Sequence, residues 1–180
     1  TASVSPSLVE GDFIGMNLKG IRSLLEEVGL HTCPPFYRDR EFYLALLAGL
    51  PVLSAIYLFI PVSTGSIHPG QWSVVVALVI WQPFWEELFF RGIIQGQIYK
   101  RSWGQRAWLK ISNANMVTSV AFVALHIAYN PNLWSVSVFI PSLVFGYFRE
   151  RHNSIYSAFA LHGFYNLGYW VVIFIKPDLT

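Results

Sequence analysis

The sequence predicts an all-α membrane protein, a bundle of about five transmembrane helices preceded by an amphipathic helix. Three observations predict it. Hydrophobic residues make up 54 % of the 180 and charged ones only 12 %, with a mean hydropathy of +0.45, a balance too apolar for a soluble domain of this size. The apolar residues fall into runs of bilayer length, and the basic residues gather at the ends of those runs. The net charge of +2 is small, and this gathering argues for membrane topology rather than a nucleic-acid partner. With one cysteine, Cys33, there is neither a disulfide framework nor a thiolate zinc cluster. In its Cys-Pro-Pro setting it reads as a free thiol, with acylation as the alternative.

Residues 1–12 are small, polar and turn-rich, and the first is not Met, as in a processed or trimmed chain. Leu18, Ile21, Leu25 and Val28 recur at helical spacing opposite Lys19, Arg22, Glu26 and Glu27, giving a short amphipathic helix that Gly29 can end. It either lies on the membrane or packs on the rest of the protein. We therefore divide the chain into a tail with this helix, residues 1–41, and a membrane domain, residues 42–180.

The first span is Phe42 to Val62, uncharged throughout and long enough for a hydrocarbon core of about 30 Å. Ser63 to Gln71 is a polar turn with Gly65, Pro69 and Gly70. The second helix runs from Trp72 to about Lys100, with a kink expected at Pro83. Trp103 and Trp108 are interfacial anchors in the connection that follows. Ser112 to Ala128, Leu133 to Phe148 and Ile155 to Ile175 are the third, fourth and fifth spans. Basic residues lie before the first span, between the second and third, and between the fourth and fifth; the loops at 63–71 and 129–132 have none. That alternation predicts a multi-pass protein with a cytoplasmic N-terminus, expected in a bacterial or archaeal cytoplasmic membrane.

Every acidic residue between Phe42 and Phe148 sits in one place, Glu86 and Glu87. A charge at the centre of a bilayer costs about 2.5–3.5 kcal/mol even on the lenient scale, so the pair must serve some purpose. Glu87 and Arg91 are four apart, acid first, and can pair on a helix. Glu86 has no base at helical spacing and is the carboxylate left for chemistry. Two intramembrane histidines accompany it, His126 and His162. Counted at about 1.5 Å per residue from the basic edges, Glu86 lies about 20 Å deep, His126 about 24 Å, His162 about 14 Å and Asn166 about 20 Å. Asn166 shares a helix face with His162, and Phe122 with His126.

The constellation resembles the membrane-embedded CAAX-type proteases and bacteriocin-processing enzymes, the CPBP or Abi proteins, to which the Ras-converting enzyme belongs. That family's first motif, two glutamates, three residues and an arginine, matches Glu86, Glu87 and Arg91. Its second, phenylalanine, three residues and histidine, matches Phe122 and His126. Its last, histidine, three residues and asparagine or aspartate, matches His162 and Asn166. The resemblance covers about residues 80–170. It implies an intramembrane glutamic endopeptidase without a cofactor, acting on a membrane-tethered protein or peptide: a CAAX-like tail, a leader or a C-terminal sorting signal. Glu86 and His126 would activate water, His162 and Asn166 would stabilise the oxyanion, and Glu87, Arg91 and Phe122 would support them. The residue chemistry agrees, since an unpaired carboxylate suits a general base and an amide donor suits a developing negative charge.

Other readings stay open. Glu86, His126 and His162 could instead be a zinc set, although no His-Glu-x-x-His signature is present. Glu87 with Arg91 could be structural glue, and Asn166 could simply bond across helices. Trp81 and Trp85 read as core packing rather than a substrate platform, and His31, His68 and His152 as residues without a role. A non-catalytic immunity or scaffold protein would be expected to have lost one of these polar groups. A proton relay would also use buried acids and histidines, but five spans without repeat symmetry argue against a transporter.

Overall fold

The structure, a computed structural model, describes residues 18–31, 33–59, 72–132 and 134–175. The remaining segments, with the polar turn at 63–71 and His68, lie outside the described residues. Among the described residues the fold is all-α apart from one short hairpin. We number the helices α1 (18–27), α2 (Arg40–Phe59), α3 (Trp72–Tyr99), α4 (Asn113–Tyr129), α5 (Trp134–Ser137), α6 (Phe139–His152) and α7 (Tyr156–Ile175). Three of them, α2, α3 and α7, are long and apolar enough to cross a membrane. The protein is an all-α membrane protein.

The predicted fourth span differs in detail. It breaks at Val138 into α5 and α6, and α6, with 14 residues, extends about 21 Å. Pro141 accounts for the restart. Lacking an N–H, it fits the first turn of a helix but cannot continue one from the preceding turn. At its other end α6 stops at Asn153, whose left-handed conformation lets its N–H reach the carbonyls of Arg149 and Glu150.

One end of the bundle collects the basic residues. Lys110 pairs with Glu41, Arg151 with Asp39 and Lys100 with Glu27. The hairpin there pairs Ala107–Trp108 with Ile111–Ser112, and Trp108 stands exposed at its tip. The N-terminal helix docks by its last turn only. Gly29 ends it at a φ of 77°, which favours glycine, and offers its carbonyl to Ser154 Oγ and Ile155 N. Its apolar residues Leu18, Ile21, Leu24 and Leu25 remain exposed.

His152, expected to have no role, bridges Ser157 Oγ at 2.9 Å and Asp39 Oδ2 at 3.1 Å. The Arg151 guanidinium beside Asp39 holds that carboxyl below the usual carboxylate range. A depressed carboxylate stabilises the fold above its unfolded pKa of about 3.9 and stops doing so as pH falls through the lower folded value. Asp39→Asn should therefore lower the thermal midpoint from pH 7 down to about 4. Below that the gap to wild type should close, as thermal melts across pH will check.

Candidate active site

Helix α3 carries the acidic pair, and its backbone is unusual. Ala77–Trp81 and Leu88–Gln95 are π-helical, with N–H groups reaching five residues back, and they bracket the α-helical Gln82–Glu87. Such wide turns recur at functional sites. Pro83 stands at the start of that α-helical segment, and it has a consequence across the bundle. The Gln82 N–H bonds the Ala77 carbonyl, so the Leu78 carbonyl would need a donor at residue 83, where proline has none. Asn166 Nδ2 supplies the missing bond at 2.9 Å. This leaves one N–H of the Asn166 amide uncommitted.

Helix α7 comes close enough to do this because Gly163 faces α3. A Cβ there would stand 2.7 Å from the Val79 carbonyl oxygen. Gly163→Ala is expected to push the helices apart, at about 1–3 kcal/mol by analogy with overpacked cores. It should disturb the site more than the fold, because it separates the two halves of the site; unfolding midpoints and activity measured on one preparation will compare the two effects.

The polar groups then meet. Glu87 Oε1 accepts from Arg91 Nη1 at 3.0 Å and lies 2.8 Å from His162 Nδ1. Both Glu87 and Arg91 are 0 % exposed. Arg91 also donates to Ser142 Oγ at 2.7 Å, and its guanidinium lies 4.5 Å from the centre of the Phe122 ring. On the other side of the imidazole, His162 Nε2 is 3.6 Å from Glu86 Oε2. A neutral imidazole has one N–H and one lone pair, so with Nδ1 donating to Glu87 the Nε2–Glu86 contact is attractive when a proton lies between them. Glu86 Oε2 has no hydrogen-bond partner, whereas Glu86 Oε1 accepts from Gln82 Nε2 at 2.8 Å.

His126 Nδ1 lies 2.9 Å from the Phe122 carbonyl and donates to it, which leaves Nε2 as an acceptor. His126 and Glu86 make no direct bond to each other. Both line a cavity of about 260 Å³ together with Phe122, His162 and Asn166. The structure thus brings Glu86, His126, His162 and Asn166 to one chamber, with Phe122 in its wall and Glu87 and Arg91 directly beneath. Among the described residues no three His, Cys, Asp or Glu side chains are grouped to hold a metal ion. Two ring nitrogens are already committed, His126 Nδ1 to the Phe122 carbonyl and His162 Nδ1 to Glu87.

A family model for the Rce1-like type II CAAX prenyl endopeptidases matches residues 68–168, more than half of the chain and all of this site. The chain belongs to the Rce1-like family. It is accordingly a peptidase of the CAAX type in an integral membrane protein. Comparison with curated proteins and with solved structures gives no match. In this Rce1-like chain one polar residue escaped sequence reasoning. Gln82 lies four residues before Glu86, on the same helix face, and that spacing was the available signal. One expectation is corrected: Trp81 and Trp85 are not core residues but 62 % and 49 % exposed, stacked edge to face on each other at 5.6 Å.

Proposed function

We propose that this Rce1-like protein is a glutamic endopeptidase that hydrolyses a peptide bond of a membrane-tethered substrate without a metal. The observation that supports it most is the Glu86 carboxylate, unpartnered at Oε2, beside His162 in a chamber shared with His126 and Asn166. Glu86 takes a proton from a water whose oxygen attacks the scissile carbonyl carbon, with the His126 Nε2 lone pair accepting the water's other hydrogen. His162, with a proton on each ring nitrogen so that Nδ1 donates to Glu87 and Nε2 to the oxyanion, shares that task with the free N–H of Asn166. The proton held by Glu86 then passes to the leaving amine as the C–N bond breaks, which returns the carboxylate. Glu87 holds the imidazole of His162 through Nδ1, so that Nε2 faces the reaction.

The membrane domain, residues 42–180, would be placed by five crossings, with the basic end cytoplasmic and α1 lying in the interface on its exposed apolar face. The family's prenylated CAAX tails, leader peptides and sorting-signal tails all fit such a site. Mass spectrometry of membrane-protein termini tests the reading. New termini should appear with the wild-type protein and disappear with Glu86→Gln; termini unchanged between the two would refute it. Activity should also survive exhaustive chelation, and its loss with recovery on zinc would overturn the metal-free mechanism.

Gln82 sets the aim of the base. A hydrogen bond to a charged group contributes about 1.5–3 kcal/mol, so Gln82→Ala should lower kcat by about 10- to 100-fold with little change in KM. An unchanged kcat would show that Glu86 is positioned by its own rotamer alone.

A further inference from the structure

Among the described residues two cations are buried, Arg91 beneath the site and Arg149 in the last turn of α6. Arg91 has the Glu87 carboxylate as its counter-charge. Arg149, 6 % exposed, points its donors at neutral oxygens instead. Nε donates to the Arg91 carbonyl at 3.2 Å, Nη2 to the Glu27 carbonyl at 3.4 Å and Nη1 to Asn153 Oδ1 at 3.2 Å. One guanidinium thus joins α3, the last turn of α1 and the cap of α6. Burying a cation is costly, and the planar five-donor fork is what sets arginine apart from an apolar filler at this point.

The bond to the Arg91 carbonyl falls on the π-helical stretch Leu88–Gln95. In that geometry the donor for residue 91 would be the N–H of Gly96, which turns to the Ile93 carbonyl instead. Arg149 Nε therefore brings a donor from another helix to a carbonyl in a buried wide turn. One face of α3 is kept open to this approach and to α1. A Cβ at Gly92 would stand 2.9 Å from the Val28 carbonyl oxygen, and one at Gly96 would stand 3.5 Å from that of Glu27 and 3.7 Å from Arg149 Nη2. Gln97 and Lys100 hold the Glu27 carboxylate just beyond. From Arg91 the contacts run straight to the chamber, since Arg91 Nη1 donates to Glu87 Oε1 and Glu87 Oε1 meets His162 Nδ1.

We infer that Arg149 is a positioning residue for the reaction. By fixing the backbone of Arg91 against the last turn of α1, it sets the guanidinium that holds Glu87 and, through Glu87, the ring of His162. Arg149 itself does not line the chamber. The last turn of α1 is accordingly part of what keeps the site in order, although the apolar residues of that helix remain exposed. A purely structural Arg149 would close the ends of α1 and α6 and leave the imidazole where it is. The inference rests on reading Glu86 and His162 as the reacting pair.

Arg149→Lys tests it. Lysine keeps the charge and the stem but replaces the fork by one ammonium, which is not expected to hold the Arg91 and Glu27 carbonyls together. In the full chain in lipid vesicles, Arg149→Lys should lower kcat by about 10-fold with KM nearly unchanged and most of the thermal stability kept. The loss should shrink where the hold of Glu87 is already weakened. On a Glu87→Gln background Arg149→Lys should lower kcat by less than about 2-fold, because both changes act along one path. Wild-type kcat in Arg149→Lys, or full multiplication of the two losses, would overturn the proposal. A second readout needs no substrate. In protein with isotope-labelled histidine, the ring-nitrogen NMR signal that disappears in His162→Gln should shift in Arg149→Lys. Gly29→Ala should shift it too, because its methyl would stand 3.0 Å from Arg149 Cζ and displace the guanidinium. A His162 signal unmoved in both variants would by itself refute the positioning role. Failure of the terminus experiment above would sink the protease reading alone, and the ring signal would still decide whether Arg149 sets His162.

Discussion

Glu86→Gln is expected to lower the rate of peptide cleavage by about 10²- to 10⁴-fold while the protein inserts, purifies and melts as before. The substitution keeps the shape of the side chain and an oxygen able to accept from Gln82 Nε2, so the local hydrogen bond survives. It removes only the ability to take a proton. Glu86 pairs with no cation within the helix, unlike Glu87, so no buried arginine is left without its counter-charge. Glu87→Gln makes the instructive comparison, because it weakens the hold on both Arg91 and His162. Single-turnover kinetics on a terminus identified by mass spectrometry will measure both. Full activity in Glu86→Gln would end the glutamic mechanism whatever happened at residue 87.

The buried pair beneath the site should dominate stability. Removing one partner of a fully buried ion pair leaves an uncompensated charge and costs about 3–5 kcal/mol, so Glu87→Leu and Arg91→Met should each unfold the protein at markedly lower temperature. Replacing both together removes both charges and should recover most of that loss, as hydrophobic replacements of buried pairs commonly do. Cleavage should not recover. Glu87 Oε1 also holds His162 Nδ1, and without that acceptor the imidazole is free to choose the wrong tautomer or rotamer. A double variant that is stable and inactive would separate structural from positioning roles. A double variant with wild-type turnover would show that Glu87 does nothing but neutralise Arg91.

The chain's membrane character and the short list of polar groups inside it were legible because a bilayer tolerates so few. Glu86, Glu87, His126 and His162 stood out against spans without other acids, and helical spacing alone paired Glu87 with Arg91. The break at Val138 was missed because a continuous apolar run hides a restart, and Pro141 was its only mark. Trp81 and Trp85 were misplaced for a reason particular to membranes. Lipid tails are as apolar as a protein core, so hydrophobicity does not tell the inward face of a helix from the outward one.

By itself the sequence determined which groups can ionise within the bilayer, on which helices they lie and at about what depth, since these follow from charge, apolar run length and the fixed rise of a helix. Only the tertiary structure decided who meets whom. It set His162 between the two glutamates and turned Asn166 to a carbonyl that Pro83 had left without a donor. It also filled the bundle below the site while leaving a chamber above it. Those outcomes depend on how far one helix is rotated and how closely another approaches, and both are set by contacts between residues far apart in the chain, such as Gly163 against Val79.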